Sequence, residues 1–182
     1  MTLHNLGALY GDMHRLAEAE AALQEALTLR RQLAQGHPAA YGPGVATMLY
    51  HVGALYGVTG RLAEAEAVLQ EALTLQRQFA RTNPAAYLPD VAATLHVLAG
   101  LAQARPQDAI VRVGEAVTIR RTLWQHELEP GAHGNALAQS LELEAVTLKR
   151  TGAETPAVCT RLREAVRVVA DARLTHVVHQ RL

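Results

Sequence analysis

The residue types able to do chemistry in this chain are nine histidines, one cysteine and 17 acidic side chains. His176 and His179 stand three apart, which on a helix places two imidazoles on one side. No third ligand follows nearby, and a metal site needs three or four. Cys159 is the only cysteine, so an intrachain disulfide and a thiolate cluster for zinc are both excluded, and it reads as a small apolar residue on a helix. His126, Glu127 and Glu129 form no catalytic grouping. No Gly-rich phosphate loop, Ser-His-Asp order or paired-carboxylate motif is present. The expectation is a non-enzyme with no metal and no cofactor. The histidines left to explain, His4, His51 and His96, depend on the elements that carry them.

Those elements repeat. Residues 3–41, LHNLGALYGDMHRLAEAEAALQEALTLRRQLAQGHPAAY, return 46 positions later as residues 49–87, with 27 of 39 positions identical. A period in this range marks stacked supersecondary units, each too small to bury its apolar face alone and each covered by its neighbours.

Composition sets the class. Hydrophobic residues make up 49% and aromatics only 4%, with alanine and leucine dominant, a mixture that packs helices closely and is poor in the β-branched residues that build sheets. Basic and acidic residues both number 17 and are spread along the chain, which argues against nucleic acid, because phosphate binding needs concentrated positive charge. No apolar run approaching ~20 residues and no signal-peptide core stand out, so the chain reads as soluble and cytoplasmic, with no membrane partner. Arginine in place of lysine everywhere but Lys149, with abundant Ala and Gly, suggests a GC-rich bacterial source.

Four units cover 1–182 as a single array: about 1–35, 44–81, 90–127 and 135–173. The joints carry turn chemistry in Gly36-His37-Pro38 with Gly42-Pro43-Gly44, in Asn83-Pro84 with Pro89-Asp90, and in Pro130-Gly131 with Gly134. Each unit reads as two antiparallel helices, giving eight main helices and no β-sheet. In the first helices, Leu3, Leu6, Gly7 and Tyr10 share one stripe, repeated as Leu49, Val52, Gly53 and Tyr56, and as Leu95, Leu98, Ala99 and Ala102. In the second helices the packed face is Ala19, Leu23 and Ala26, then Ala65, Leu69 and Ala72, then Ala109, Val113 and Ala116. Gly60 stands where a helix end needs positive φ, with Gly11 or Gly57 available to share that role. Glu18, Glu20 and Glu25 precede Arg30 and Arg31, and Glu64, Glu66 and Glu71 precede Arg77, as the helix macrodipole favours.

The spacing Leu-x-x-Leu-Gly-x-x-Tyr followed by Ala-x-x-x-Leu and a later Pro resembles the tetratricopeptide repeat, with Leu3 or Leu49 in place of the usual tryptophan. The period of 46 instead of 34 is similar to the long variant of kinesin light chains and bacterial multi-repeat proteins. The resemblance is strongest in the first two units, clear in the third despite a two-residue deletion before Arg105, and degraded in the fourth. It implies a right-handed superhelical solenoid whose first helices line a concave groove that holds a peptide or partner helix.

With the packed stripes turned inward, the groove candidates are His4, Asn5, Ala8 and Asp12 in unit one, Tyr50, His51 and Ala54 in unit two, and His96, Val97 and Gly100 in unit three. No Lys or Arg lies among them, so the acidic-cargo and carboxylate recognition of some family members does not carry over. The expected ligand is a neutral or apolar segment of a protein partner. Unit four mixes Glu142, Glu144, Lys149 and Arg150 among Leu137, Leu141 and Leu148, as a terminal unit facing water would. The first helix starts almost at Met1, inside a repeat, so the chain reads as part of a longer array. The alternative reading is a structural array that forms a homo-oligomer through its uncovered first repeat.

Overall fold

The computed structural model describes residues 16–126 and 133–179, with residues 172–179 as backbone only. Among the described residues the chain is all α-helical. Seven helices follow one another: α1 (Leu16–Gly36), α2 (Pro38–Val58), α3 (Leu62–Thr82), α4 (Pro84–Leu101), a 3-10 turn (Ala102–Ala104), α5 (Pro106–Gln125), α6 (Gly134–Arg150) and α7 (Thr155–His179). The expected helix before α1 falls outside the described residues. The period survives folding: Leu16 and Leu62 open α1 and α3, and Pro38 and Pro84 open α2 and α4.

The joints are shorter than their composition suggests. His37 alone separates α1 from α2, and Asn83 alone separates α3 from α4. Pro38 and Pro84 each occupy the first helical turn, where the missing N–H would have had no partner and the fixed φ is already helical. The Asn83 side chain accepts the Ala86 N–H at 3.3 Å and caps α4. Pro43 and Pro89, read from sequence as turn residues, lie inside helices. The Gly42-Pro43-Gly44 segment is helical for a packing reason: a Cβ on Gly42 would sit 2.6 Å from Cζ of Phe79. That glycine admits a ring; it does not make a turn.

Real stops occur elsewhere. α2 ends with Gly60 at φ 78°, the Gly60 N–H donating to Gly57 O and the Arg61 N–H to Tyr56 O. α6 ends the same way, with Gly152 at φ 81°, its N–H on Lys149 O and that of Ala153 on Leu148 O. Both are helix ends of the kind that glycine closes by adopting a left-handed conformation. Gly57 stays inside α2.

The chain divides into two compact units, Met1–Thr82 and Asn83–Leu182. In the first, α2 packs against both α1 and α3, burying Leu49, Val52 and Leu55 with Leu23, Leu27, Leu69 and Leu73. Ala65 and Ala72 are fully buried, the small side chains letting α3 lie close to α2. In the second, α5 packs between α4 and α6, and α6 packs on α7. Its core gathers Ala99, Val113, Val117, Leu137, Leu141, Ala165 and Val168, with Trp124 packed on its edge. Pro84–Ala104 is, by length and composition alone, apolar enough to cross a membrane, with mean hydropathy 1.3. Its Val91, Ala92, Leu95, Leu98 and Ala99 are buried in the fold.

Candidate functional site

Side-chain bonds that skip one helix reveal two layers within each unit. In the first unit Arg31 of α1 pairs with Glu71 of α3 at 2.6 Å, and Arg61, just before α3, with Glu20 of α1 at 2.6 Å. α1 and α3 therefore lie side by side, with α2 as the described helix of the other layer. The Arg61 guanidinium also stacks 3.8 Å over the Tyr56 ring, whose hydroxyl accepts from Gln24 at 2.9 Å. Charges whose order follows the helix macrodipole thus also tie neighbouring second helices together, at partly exposed positions where each pair contributes little, ~0.2–1 kcal/mol.

In the second unit α5 is linked to α7 by Arg121 and Glu164 at 2.8 Å, and α4, with the 3-10 turn that continues it, to α6 by two hydrogen bonds a heptad apart. His96 Nδ1 meets Ser140 Oγ at 3.0 Å, and Gln103 Nε2 donates to Thr147 Oγ1 at 3.2 Å. Both pairs are 44 residues apart, and the two bonds share one register. Arg150 donates to Gln103 O at 3.2 Å, closing the far end. α4 and α6 therefore form one layer, the layer of first helices.

The open side of that layer carries a strip of small uncharged residues along α4, with the exposed acid Asp90 one turn before its start. Ala93, Val97, Gly100 and Ala104 are partly or fully exposed and follow one another at helical spacing. A Cβ on Gly100 would meet nothing within 4 Å. Of the sequence candidates, His96 is half-buried beside this strip, while Val97, half-buried, and Gly100, exposed, lie on it. In α2, Tyr50 and Ala54 are half-buried, while His51 is only 6% exposed, its ring edge-on to Tyr50 at 5.4 Å. Burial lowers the proton affinity of His51. His4, Asn5, Ala8 and Asp12 lie outside the described residues.

Residues the sequence did not single out complete the arrangement. Arg120 of α5 is 8% exposed and donates through Nη1 to Ala136 O and to Ser140 Oγ, each at 2.6 Å. The ring of His96, next to this cation and buried, has its pKa pushed down to about 4, burial being the larger cause and Arg120 the smaller. Glu144, expected to face water, is 7% exposed, with Arg161 Nε 2.7 Å from its carboxylate. Burial pushes that carboxyl up against the opposing pull of Arg161. Neither Arg161 Nε nor Glu144 Oε2 has a hydrogen bond of good alignment, so the contact is one of charge. Among the described residues no group of three His, Cys, Asp or Glu is placed to hold a metal ion. The Ser140–His96 pair is no nucleophile and base either, because Ser140 is fully buried.

Comparison with known proteins agrees with this architecture. Residues 1–78 match the family model described as tetratricopeptide repeat. No match is found among curated proteins. Among solved structures, the chain is similar to BtubC (BKLC) from P. vanneervenii, at 19% identity and a TM-score of 0.59 over 96% of this chain. The chain spans 62% of that structure's length. A second similar structure, kinesin light chain nearly identical TPR-like repeats from Podosopora anserina, is 18% identical, with a TM-score of 0.45 and 98% of both chains covered. The fold is a tetratricopeptide-like helical repeat, and at these identities it is the fold that the likeness establishes.

Proposed function

We propose that the chain is a protein-interaction scaffold that holds an uncharged peptide segment or partner helix on the open face of the first helices of its second unit, α4 with α6. The observation that carries this is the strip Ala93, Val97, Gly100 and Ala104: small, partly or fully exposed and uncharged, on an element whose neighbour in the layer is locked by two hydrogen bonds a heptad apart. Small residues on a rigid backbone let a ligand approach closely without loss of side-chain entropy. Absence of fixed charge on the strip disfavours an acidic or basic ligand, whose desolvation nothing there would offset. Self-association through the first repeat would use residues outside the described ones.

The test is a panel of capped peptides of neutral, acidic and basic composition, offered to the wild type and to Gly100→Trp. A Cβ at Gly100 meets nothing within 4 Å, so the larger side chain starts from open space. Retention of neutral apolar peptides by the wild type, lost in Gly100→Trp at unchanged melting temperature, supports the reading. Preference for acidic peptides, or binding indifferent to Gly100→Trp, overturns it.

A further inference from the structure

His96 presents one ring nitrogen to the protein and the other to the surface, and the protons between them can be assigned by elimination. Arg120 Nη1 can only donate, so Ser140 Oγ accepts from it at 2.6 Å. Ser140 is fully buried, and among the described residues its hydroxyl proton has one acceptor within hydrogen-bond distance, Nδ1 of His96 at 3.0 Å. Were the ring to carry its proton on Nδ1 instead, the serine would accept twice and its own proton would be stranded in the interior, at a cost of about 1–3 kcal/mol. The chain therefore runs one way, from guanidinium to hydroxyl to Nδ1, and leaves the ring proton on Nε2.

Nε2 has no hydrogen-bond partner among the described residues and is not among the enclosed polar atoms that lack one. It is therefore not sealed from solvent. It lies on the same helix as Val97 and Gly100, the apolar floor and the open space of the strip. Arg150, the cation that donates to Gln103 O, is displaced from it by seven residues of α4, about 10 Å along the axis. A buried relay that fixes one tautomer is costly to assemble, and what it produces is a single oriented N–H at the edge of an uncharged face.

We infer that His96 is the fixed hydrogen-bond donor of the α4/α6 face, its Nε2–H taking an amide carbonyl oxygen of an uncharged peptide, with Ser140 and Arg120 as the positioning residues that hold the ring. This rests on the reading of that face as the binding face and adds what is recognised there. A carbonyl matches a neutral donor whose neighbouring cation, Arg120, is buried and already bonded to Ala136 O and Ser140 Oγ. A carboxylate would seek Arg150 at the far end.

The experiment uses the full chain labelled with 15N in its histidines and in its backbone. Long-range proton–nitrogen spectra report the His96 tautomer, and the backbone spectrum reports Val97 and Gly100, during titration with acetyl-trialanine N-methylamide and, separately, with sodium acetate. Expected are an Nε2–H tautomer unchanged from about pH 8 to about pH 5, and a saturable shift of the His96 Nε2 resonance with the capped peptide. Ser140→Ala, which removes one buried hydroxyl and keeps a good helix former, frees the ring to take either tautomer and weakens the peptide about five-fold, the worth of one hydrogen bond. A proton found on Nδ1 overturns the inference, as does a response of His96 to acetate and not to the peptide. A peptide that shifts Val97 and Gly100 but leaves His96 still overturns it while the binding-face reading stands. A peptide that shifts nothing on α4 or α6, with the tautomer as derived, removes the binding-face reading and the inference together.

Discussion

Gly53 and Ala54 are sequence neighbours on α2 with opposite obligations. A Cβ on Gly53 would lie 2.5 Å from Cγ of Leu69, itself fully buried in α3, whereas Ala54 is half-buried at the layer's edge. Gly53→Leu should therefore destabilise by about 1–3 kcal/mol more than Ala54→Leu, and equal melting temperatures for the two variants would show the faces of α2 to be reversed. His96 gives a second prediction at this scale. Its pKa falls from 6.5 to about 4 on folding, so below 6.5 the unfolded chain binds a proton that the folded chain refuses. Its contribution to stability is complete above 6.5 and is lost as the pH falls towards 4. Glu144 and Asp90, both raised by burial, act with the opposite sign, so the His96 term is isolated by difference. His96→Asn keeps an acceptor for Ser140 and does not titrate. The gap in melting temperature between it and the wild type should move in its favour from pH 6.5 to 4, and parallel curves would refute the assignment. The candidate itself was legible because His96 sits in a recognisable repeat. Ser140 and Arg120 were not, because the fourth unit has drifted and hides the 44-residue register that brings Ser140 opposite His96.

Helices were the most legible level, since a 3.6-residue apolar stripe written twice with 27 identities leaves little alternative to paired helices. Their boundaries were less so. Proline and glycine mark turns by their dihedral preferences, yet Pro38 and Pro84 start helices, and Gly42 stands under the Phe79 ring. Composition alone cannot separate a glycine that turns from one that admits a neighbour. Pro43 tests the distinction. It sits in the second turn of α2 and denies one helical hydrogen bond to the carbonyl of Ala39. Because the helix already runs through it, Pro43→Ala should restore that bond and raise the melting temperature. A lower one would mean that the proline's restriction of the unfolded chain outweighs the missing bond. Gly60 and Gly152 are the converse case: at φ 78° and 81°, alanine at either should cost about 1 kcal/mol, visible as a lower denaturation midpoint.

At the scale of the molecule, a chain built from repeats distributes its stability over local interfaces instead of a single centre. The two units have separate cores, one around Leu49, Leu55 and Leu69, the other around Val113, Leu137 and Leu141. The chain's one tryptophan, Trp124, packs on the second core and reports on that unit, while far-ultraviolet circular dichroism reports helices throughout. Leu69 and Leu141 are both fully buried, so alanine at either removes the same atoms from equally dry sites and should cost about 2–5 kcal/mol. If stability is local, Leu141→Ala lowers the Trp124 fluorescence midpoint by more than Leu69→Ala does, and Leu69→Ala separates the fluorescence transition from the earlier dichroism transition. Equal shifts of one coincident transition would instead make the whole chain a single cooperative unit, and Gly53→Leu in α2 would then depress the Trp124 signal as strongly as any change made beside it.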